Sequence, residues 1–297
     1  MDESDWLADR FEQQRPHLRA VAYRMLGSLA EADDAVQDTW LRVSRAGAGG
    51  VENLGGWMTT IVARLCLNMI RARKVRREDS LVVHLPDPII SLDGTVQPEE
   101  QALLADSVGL ALQVVLDTLG PAERLAFVLH DVFELPFDEI APMVGRSAEA
   151  ARQLASRARR RVKGAGIVAP DPDLRHQREV VDAFFRAAQA GDFDALVAVL
   201  DPDVVRRSDF GPRQAGFSKV LRGAAAVARQ SILARGIPAI AIYPVLVNGA
   251  AGAVVTSRGR PFAILGFIVA EGKIVEMDIL GDPERVGSIA AAVLTGQ

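Results

Sequence analysis

The chain has 297 residues, of which 49% are hydrophobic and 24% charged, and its formal net charge at pH 7 is −4. This composition is that of a folded globular protein and excludes a disordered or fibrous chain, while the length suits two or three domains. The sequence has no apolar run near the roughly 18 residues of a membrane span, and its acidic start is unlike a signal peptide, so we expect a cytoplasmic protein.

Residues 5–46 have apolar residues at helical spacing in two runs, which Gly27-Ser28 separates. On the second predicted helix, Asp34 and Asp38 share one face, four residues apart. Like charges at this spacing weaken a helix by a few tenths of a kcal/mol, so the face predicts a basic partner surface, a plain solvated face being the alternative. The candidate partner-binding residues are Asp33, Asp34, Gln37 and Asp38.

Residues 57–75 are predicted to form the next helix, after glycine-rich connectors that end at Gly55-Gly56. Its apolar residues recur every four positions and predict one buried stripe: Trp57, Ile61, Leu65 and Met69. Residues 69–77 carry five basic residues and no acid, as expected of a surface that binds nucleic acid. The candidate DNA-binding residues are Arg64, Asn68, Arg71, Arg73 and Lys74.

Cys66, the only cysteine, falls within the apolar pattern of this helix. One cysteine excludes an intrachain disulfide and a multi-cysteine zinc site. We therefore predict a buried, inert thiol and expect neither a metal nor another cofactor.

Residues 78–100 contain three prolines and little periodicity, which predicts a linker. Residues 79–139 hold twelve acids and one basic residue, Arg124, so an acidic connector separates two basic segments. His84 and His130 have no partners at metal-binding spacing, and we predict structural roles for both.

Residues 137–162 predict a short helix, a turn at Gly145-Arg146 and a longer helix that Ser147 would cap. This arrangement is a helix-turn-helix, whose second helix enters the major groove, where Arg and Gln bind guanine and adenine edges. The candidate DNA-binding residues are Arg146, Ser147, Glu149, Arg152, Gln153, Arg157 and Arg160. We expect phosphate contacts instead from Arg159, Arg161 and Lys163.

A change of pattern after Pro170-Asp171-Pro172 marks a further domain. Helices are predicted near residues 175–190, 193–200 and 223–235, followed by strands near 237–247, 253–257, 262–269 and 273–279. Turn signals occur at Asn248-Gly249 and Glu271-Gly272. The pattern predicts an α+β domain with an antiparallel, strongly curved sheet.

Three segments together resemble the extracytoplasmic-function (ECF) sigma factors: Leu18–Trp40, Trp57–Arg77, and Leu119–Arg124 leading to Ser147–Arg161. The resemblance covers roughly residues 6–163. It implies that the Glu31–Trp40 segment binds the β′ clamp coiled coil of core RNA polymerase, with further contacts to the β subunit. It also implies that Trp57–Arg77 opens and reads the promoter −10 element, and that Ser147–Arg161 reads the −35 element.

The segment Phe184–Leu196 resembles the start of a SnoaL-like domain, a cone-shaped α+β barrel that a subgroup of these sigma factors carries. Three motifs of that subgroup are matched in altered form at His84–Pro88, Asp209–Arg213 and Asp282–Val286. The resemblance therefore implies that the C-terminal domain contacts the linker. The candidate contact residues are Leu85, Pro86, Asp87, Pro88, Asp209, Asp282, Pro283 and Arg285.

The expected organisation is a multidomain protein with two all-α sigma domains and one α+β domain. Residues 1–78 would form sigma region 2, 79–100 the linker, 101–165 sigma region 4 and 173–297 the SnoaL-like regulatory domain. The C-terminal domain would pack against the linker and the first helical domain and modulate promoter-specific initiation.

Two other classes of function remain as alternatives. One is a helix-turn-helix repressor with a ligand-binding C-terminal domain, which would bind its operator without polymerase. The other is a SnoaL-type isomerase or cyclase, for which the candidate groups are Asp209, Asp278, His176 and Tyr243. We favour a protein that is not an enzyme, and we keep a small ligand of the C-terminal domain as a lesser alternative.

Overall fold

A computed structural model describes residues 3–77, 83–92 and 109–294. Contacts divide the chain into two compact units. Of the described residues, the helical unit comprises 3–77 and 111–167, and the sheet unit comprises 83–92, 109–110 and 168–294. Within the described ranges, every helix is too short or too polar to cross a membrane.

The helices up to residue 164 are short to medium in length, as the sequence predicts. They are α1 (Glu3–Leu26), α2 (Leu29–Ala46), α3 (Leu54–Arg77), α4 (Gly109–Asp117), α5 (Pro121–Phe127), α6 (Phe137–Val144) and α7 (Ala148–Gly164). A π-helical turn, Val128–Val132, continues α5. Ser28 caps α2, its hydroxyl accepting from the Glu31 amide at 3.4 Å, so the predicted break at Gly27-Ser28 is confirmed.

Helix α3 begins three residues before the predicted start, so Gly55 and Gly56 lie in its first turn. The Asn53 side chain explains the earlier start, because its Oδ1 accepts from the Gly56 amide at 2.9 Å. The predicted buried stripe is only partly correct. Leu65 is buried, but Trp57, Ile61 and Met69 are only half-buried. The fully buried side chains of α3 are those of Met58, Val62, Ala63 and Cys66. The helix packs against α1 and α2 and also against α5 and α6, which buries a broader surface than one stripe.

Polar side chains join the C-terminal end of α1 to α4 and α5. Gln113 donates to the carbonyl oxygens of Tyr23 at 3.0 Å and Arg24 at 3.2 Å. The buried Arg124 guanidinium donates to the Arg24 carbonyl at 2.9 and 3.0 Å and also binds Asp117. The Arg24 carbonyl lies in the last turn of α1, where helix carbonyls lack backbone partners, and the bonds from Arg124 fix α5 against α1.

In its described residues, the sheet unit combines four α-helices with one mixed sheet. Its helices are α8 (Leu174–Ala190), α9 (Phe193–Val199), α10 (Ala224–Leu233) and α11 (Pro283–Leu294). Its strands are β1 (Ile90–Ser91), β2 (Leu200–Asp209), β3 (Lys219–Arg222), β4 (Ile240–Val247), β5 (Ala250–Ser257), β6 (Arg260–Ala270) and β7 (Lys273–Leu280). Their order in the sheet is β1-β4-β5-β6-β7-β2-β3.

The α+β class is confirmed, but the prediction of an antiparallel sheet is wrong in one place. Strand β2 runs parallel to β7, because the chain crosses from β2 through β3 and α10 to the other side of the sheet before β4–β7 form a meander. The two predicted turns are present, with positive φ at Asn248, Gly249, Glu271 and Gly272 as tight hairpins require.

The two faces of the sheet belong to different clusters of apolar side chains. One face packs with α8, α9 and α10 around Phe184, Leu196 and Val227. The opposite face packs with Ile90 of the linker segment and with Val286 and Ala290 of α11. Because side chains alternate along a strand, adjacent residues of β2 and β7 point to these two different environments.

Candidate nucleic-acid interface and linker-binding site

The segment from α6 to α7 has the geometry of a helix-turn-helix. Ile140 is fully buried in α6, and Gly145 forms the turn in the left-handed region at φ 66°. The Ser147 hydroxyl accepts from the Ala150 amide at 3.2 Å and so caps α7. Ala151, Ala155 and Ala158 are fully buried and anchor α7 against the unit.

The opposite face of α7 and the turn before it are exposed. The exposed residues are Arg146, Ser147, Glu149, Arg152, Gln153, Arg157 and Arg160. Arg152 is held by Glu149 at 2.7 Å and lies 5.3 Å from the centre of the Phe137 ring. The helix therefore presents a basic outer face, one of whose arginines is already oriented by its neighbours.

Acids of the same unit neutralise part of the charge on α7. Glu123 lies 3.2 Å from Arg157 and 2.9 Å from Arg161. Asp131 lies 2.6 Å from Arg159. Arg159 and Arg161, expected at phosphates, are thus paired within the protein, whereas Arg146 and Arg160 have no bond partner among the described residues.

Helix α3 places Arg64, Asn68 and Arg71 on one exposed face. Arg64 donates to the Pro142 carbonyl at 3.2 Å and so joins this face to α6. Arg73 differs from them, because its half-buried guanidinium binds Glu31 and donates to the Leu26 carbonyl at 3.0 Å. Arg73 therefore holds the α1–α2 junction, and the side chain of Lys74 lies outside the described residues.

The polar face of α2 is exposed at all four predicted positions, Asp33, Asp34, Gln37 and Asp38. Asp33 pairs with Arg19 of α1 at 2.6 Å. Asp34, Gln37 and Asp38 have no bond partner in the described chain, so α2 carries two uncompensated carboxylates four residues apart.

The sheet unit holds residues 85–91 of the linker segment in a buried position. Strand β1 pairs with β4, Ile90 lying opposite Val247. Asn248 receives the chain just before β1: its Oδ1 accepts from the Ile89 amide at 2.9 Å, and its own amide donates to the Ile89 carbonyl at 2.7 Å. Pro86 and Pro88 are buried beside Val247, Ile264 and Leu280.

Arg285 is the centre of a linker-binding site, formed by Asp209, Asn248, Asp282 and Arg285. Its guanidinium lies 2.6 Å from Asp87, 2.9 Å from Asp209 and 2.6 Å from the Leu85 carbonyl. Asp209 also accepts from the Leu85 amide at 2.9 Å. The predicted contact residues Leu85, Asp87, Asp209 and Arg285 are thus brought together, while Pro283 is exposed at the start of α11.

Asp282 and Gly211 fix the backbone around this site. The Asp282 carboxylate accepts from the amides of Glu284 and Arg285 at 3.0 and 3.1 Å, which fixes the start of α11. Gly211 has φ 73°, and a β-carbon there would overlap the Asp282 carboxylate. A glycine is therefore required where the Asp209 and Asp282 motifs approach each other.

The electrostatics of the linker-binding site favour an ionised Asp209. Burial alone would raise the pKa of its carboxyl group, but hydrogen bonds from His84, the Leu85 amide and the Gly211 amide, with the charge of Arg285, lower that pKa to about 2. A folded-state pKa below the unfolded value stabilises the site above pH 3.8, and the contribution is lost as the pH falls toward 2.

The four candidate catalytic groups do not converge. Asp278 lies between Arg207 and the Pro86–Pro88 segment, Asp209 binds Arg285, and Tyr243 packs in the cluster of α11. His176 lies at the start of α8, 3.9 Å from Asp171. Sequence reasoning missed two residues, Asn248, which it treated only as a turn signal, and Arg206, whose buried position no local pattern indicates.

Cys66 is fully buried, and burial raises the pKa of its thiol to about 12, as an inert core thiol requires. The Nδ1–H of His130 donates to the Leu135 carbonyl at 3.0 Å, and its ring lies against that of Phe137. His84 lies 3.4 Å from Asp209.

Comparisons with known proteins agree with this architecture. The family described as Sigma-70 region 2 matches residues 10–76, and the family described as Sigma-70, region 4 matches residues 109–162. The ECF RNA polymerase sigma factor SigJ of Mycobacterium tuberculosis is 36% identical, over 93% of this chain and 91% of that protein. A probable ECF RNA polymerase sigma factor, SigI, of the same species is 33% identical, over 98% of both chains. The crystal structure of SigJ superposes with a TM-score of 0.73, covering 94% of this chain and 97% of that one.

Proposed function

Because the chain belongs to the ECF family of RNA polymerase sigma factors, we propose that each exposed face described above has a specific role in transcription initiation. In this proposal α7 reads the −35 element through Arg146, Arg152, Gln153 and Arg160. Arg and Gln side chains can each form paired hydrogen bonds with base edges in the major groove. The observation that carries this proposal is the exposed, capped α7 with buried alanines on its inner face.

The face of α3 with Arg64, Asn68 and Arg71 would act at the −10 element. Cationic side chains neutralise phosphates, and a polar amide suits bases taken out of the stack. Arg73 would support this face indirectly, since it holds α3 to the α1–α2 junction.

The α2 face with Asp34, Gln37 and Asp38 would bind the β′ clamp coiled coil of core polymerase. Two carboxylates without partners repel each other, so a basic surface would relieve this repulsion on binding. A protein that works on core polymerase acts in the cytoplasm, and β-subunit contacts belong to the same proposal.

The sheet unit would modulate initiation by holding the linker. This part of the proposal is supported by the burial of residues 85–91 and by the ion pair between Asp87 and Arg285. In this proposal, a linker held in this way would be unavailable to the polymerase until the sheet unit releases it. We propose a regulatory rather than enzymatic role, supported by the separation of the four candidate catalytic groups.

Run-off transcription with core polymerase tests the role of α7. The double variant Arg152→Ala with Gln153→Ala should lower −35-dependent output by roughly tenfold or more, at about 1–3 kcal/mol per lost base contact. Arg229→Ala is the matched control, since it removes an exposed arginine from α10. Output that is equal for the double variant and the control would exclude α7 from promoter reading.

A further inference from the structure

The sheet unit contains a cavity of about 770 Å³ between one face of the sheet and helices α8 and α10. This volume lies within the range of pockets that hold drug-sized ligands. The lining is mostly aromatic and aliphatic and includes Phe184, Phe185, Phe210, Phe262, Met277 and Ile279. An apolar body of a ligand would therefore be well matched here.

The charged side chains of the lining all have one sign. They are Arg206, Lys219 and Arg235, and the residues described around the cavity include no acid. Lys219 has a neutral partner, since its Nζ donates to Gln230 at 2.7 Å. The cavity thus offers positive charge to an occupant.

Arg206 is the innermost of these cations, with 8% of its surface exposed. Its Nε and Nη1 atoms are buried and have no hydrogen-bond partner among the described residues. Burial lowers the pKa of its guanidinium to about 10, which leaves it protonated at neutral pH. A buried cation with unsatisfied donors is costly, and a bound anion would remove that cost.

The next residue in β2, Arg207, shows that an arginine of this strand can have acidic partners. Arg207 points to the opposite face of the sheet and lies 2.9 Å from Glu276 and 3.2 Å from Asp278. The unsatisfied donors therefore belong specifically to the residue that faces the cavity.

Two large apolar side chains that line the cavity are open to solvent. Phe217 is 66% exposed and Leu233 is 68% exposed. An apolar rim of this kind would guide an amphipathic molecule, whose apolar part meets the rim and whose charge reaches Arg206.

We propose that this cavity binds a small amphipathic carboxylic acid, with Arg206 as the counter-ion of its carboxylate. A carboxylate binds a guanidinium through two parallel hydrogen bonds, either at Nε and Nη2 or at Nη1 and Nη2. One carboxylate would therefore satisfy one of the two partnerless nitrogens of Arg206 and neutralise its charge. A singly charged carboxylate also loses less hydration energy in an apolar cavity than a doubly charged phosphate monoester does. The site is independent of promoter recognition, so it can be tested on the chain without polymerase.

Calorimetric titration of the full chain with decanoate tests the proposal, with decan-1-ol as a neutral ligand of the same length. We expect one decanoate per chain and binding about tenfold or more tighter than that of decan-1-ol. Arg206→Met should remove this preference and leave decan-1-ol binding within about threefold of its value in the unaltered chain, since the apolar lining is retained.

Arg222→Met is the matched control, because it removes an exposed arginine from β3, next to β2 and outside the cavity. It should leave decanoate binding unchanged. Ala263→Phe, which fills the cavity, should abolish binding of both ligands, and its thermal unfolding would show that it folds. Absence of decanoate binding, equal affinity for the acid and the alcohol, or equal loss in the Arg206 and Arg222 variants would each overturn the proposal.

Discussion

Arg206 and Arg207 are adjacent in β2 and have opposite surroundings. Arg207 is paired with Glu276 and Asp278, whereas Arg206 has buried donors without partners. Because alternate residues of a strand face opposite sides of the sheet, one residue along the chain is enough to change the environment completely.

Arg206→Met should therefore stabilise the protein in the absence of a ligand. Removing a buried, unsatisfied cation should raise the free energy of unfolding by about 1–3 kcal/mol, measured by urea denaturation. Arg222→Met should change the free energy of unfolding by no more than about 0.5 kcal/mol, since Arg222 is exposed. A destabilised Arg206 variant would mean that the guanidinium has a partner that stabilises the fold.

Asp278 should make the stability of the fold depend on pH in the opposite sense from Asp209. Burial raises the pKa of its carboxyl group to about 6, with Glu276 adding to the effect and Arg207 opposing it. A carboxyl group whose folded-state pKa is raised stabilises the fold while protonated, and this contribution is lost as the pH rises from 3.8 through about 6.

Asp278→Asn should accordingly raise the free energy of unfolding at pH 8 by roughly 2 kcal/mol, since the amide avoids burying a charge. Arg207 keeps its bond to Glu276 in this variant. Denaturation curves from pH 4 to pH 8 would show the difference from the unaltered chain increasing with pH. A difference that is constant across this range would exclude titration of Asp278 as its cause.

Among the elements, the linker strand β1 was the hardest to predict. The segment before it has prolines and no alternating pattern, so the sequence indicates only a linker. Its structure depends on residues distant in sequence: Asn248 after β4, Asp209 at the end of β2, and Arg285 in α11. Strands β4 to β7, by contrast, were predictable because turn signals and apolar runs lie next to each other in the chain.

Strand β2 was also missed, for a different reason. Its sequence has four charged residues among its last seven, Asp203–Asp209, which local patterns assign to a loop. In the sheet these charges are accommodated by pairing across strands, as for Arg207 with Glu276. Strand β2 pairs in parallel with β7, about seventy residues later in the chain. The sequence near β2 does not indicate a partner at that distance.

Arg285→Met should loosen the linker strand without unfolding the sheet unit. The substitution removes bonds to Asp87, Asp209 and the Leu85 carbonyl. Hydrogen–deuterium exchange at the Leu85 and Ile89 amides should become faster by about tenfold or more, as expected for the loss of charge-assisted bonds. Arg213→Met is the control, since Arg213 pairs with Glu284 on the exposed surface. Equal exchange rates in both variants would show that Arg285 does not retain the linker.

For the whole molecule, the sequence predicted the order of the helical segments, the helix-turn-helix and the residues that meet at Arg285. It did so because motif resemblance carries information about contacts that propensities lack. The cavity and the unsatisfied donors of Arg206 were not predictable, since they depend on which face of β2 points inward.

Truncation tests the regulatory proposal at this scale. A chain that ends near residue 170 loses Arg285 and all its contacts. A chain that ends near residue 285 loses most of α11, the helix that supports these contacts. If the sheet unit acts by holding the linker, both truncations should change run-off transcription in the same direction, by about threefold or more. Arg213→Met should have no comparable effect. Opposite effects of the two truncations, or none, would contradict the proposal.

The placement of ligand cavity and linker site on opposite sides of a single sheet limits how this protein can change in evolution. Deleting or inserting one residue within β2 would exchange the inward and outward positions, sending Arg207 into the cavity and Arg206 toward the prolines of the linker. Homologous chains should therefore differ in length at the 212–217 turn and at the hairpin ends, and keep a constant residue count between Val204 and Asp209.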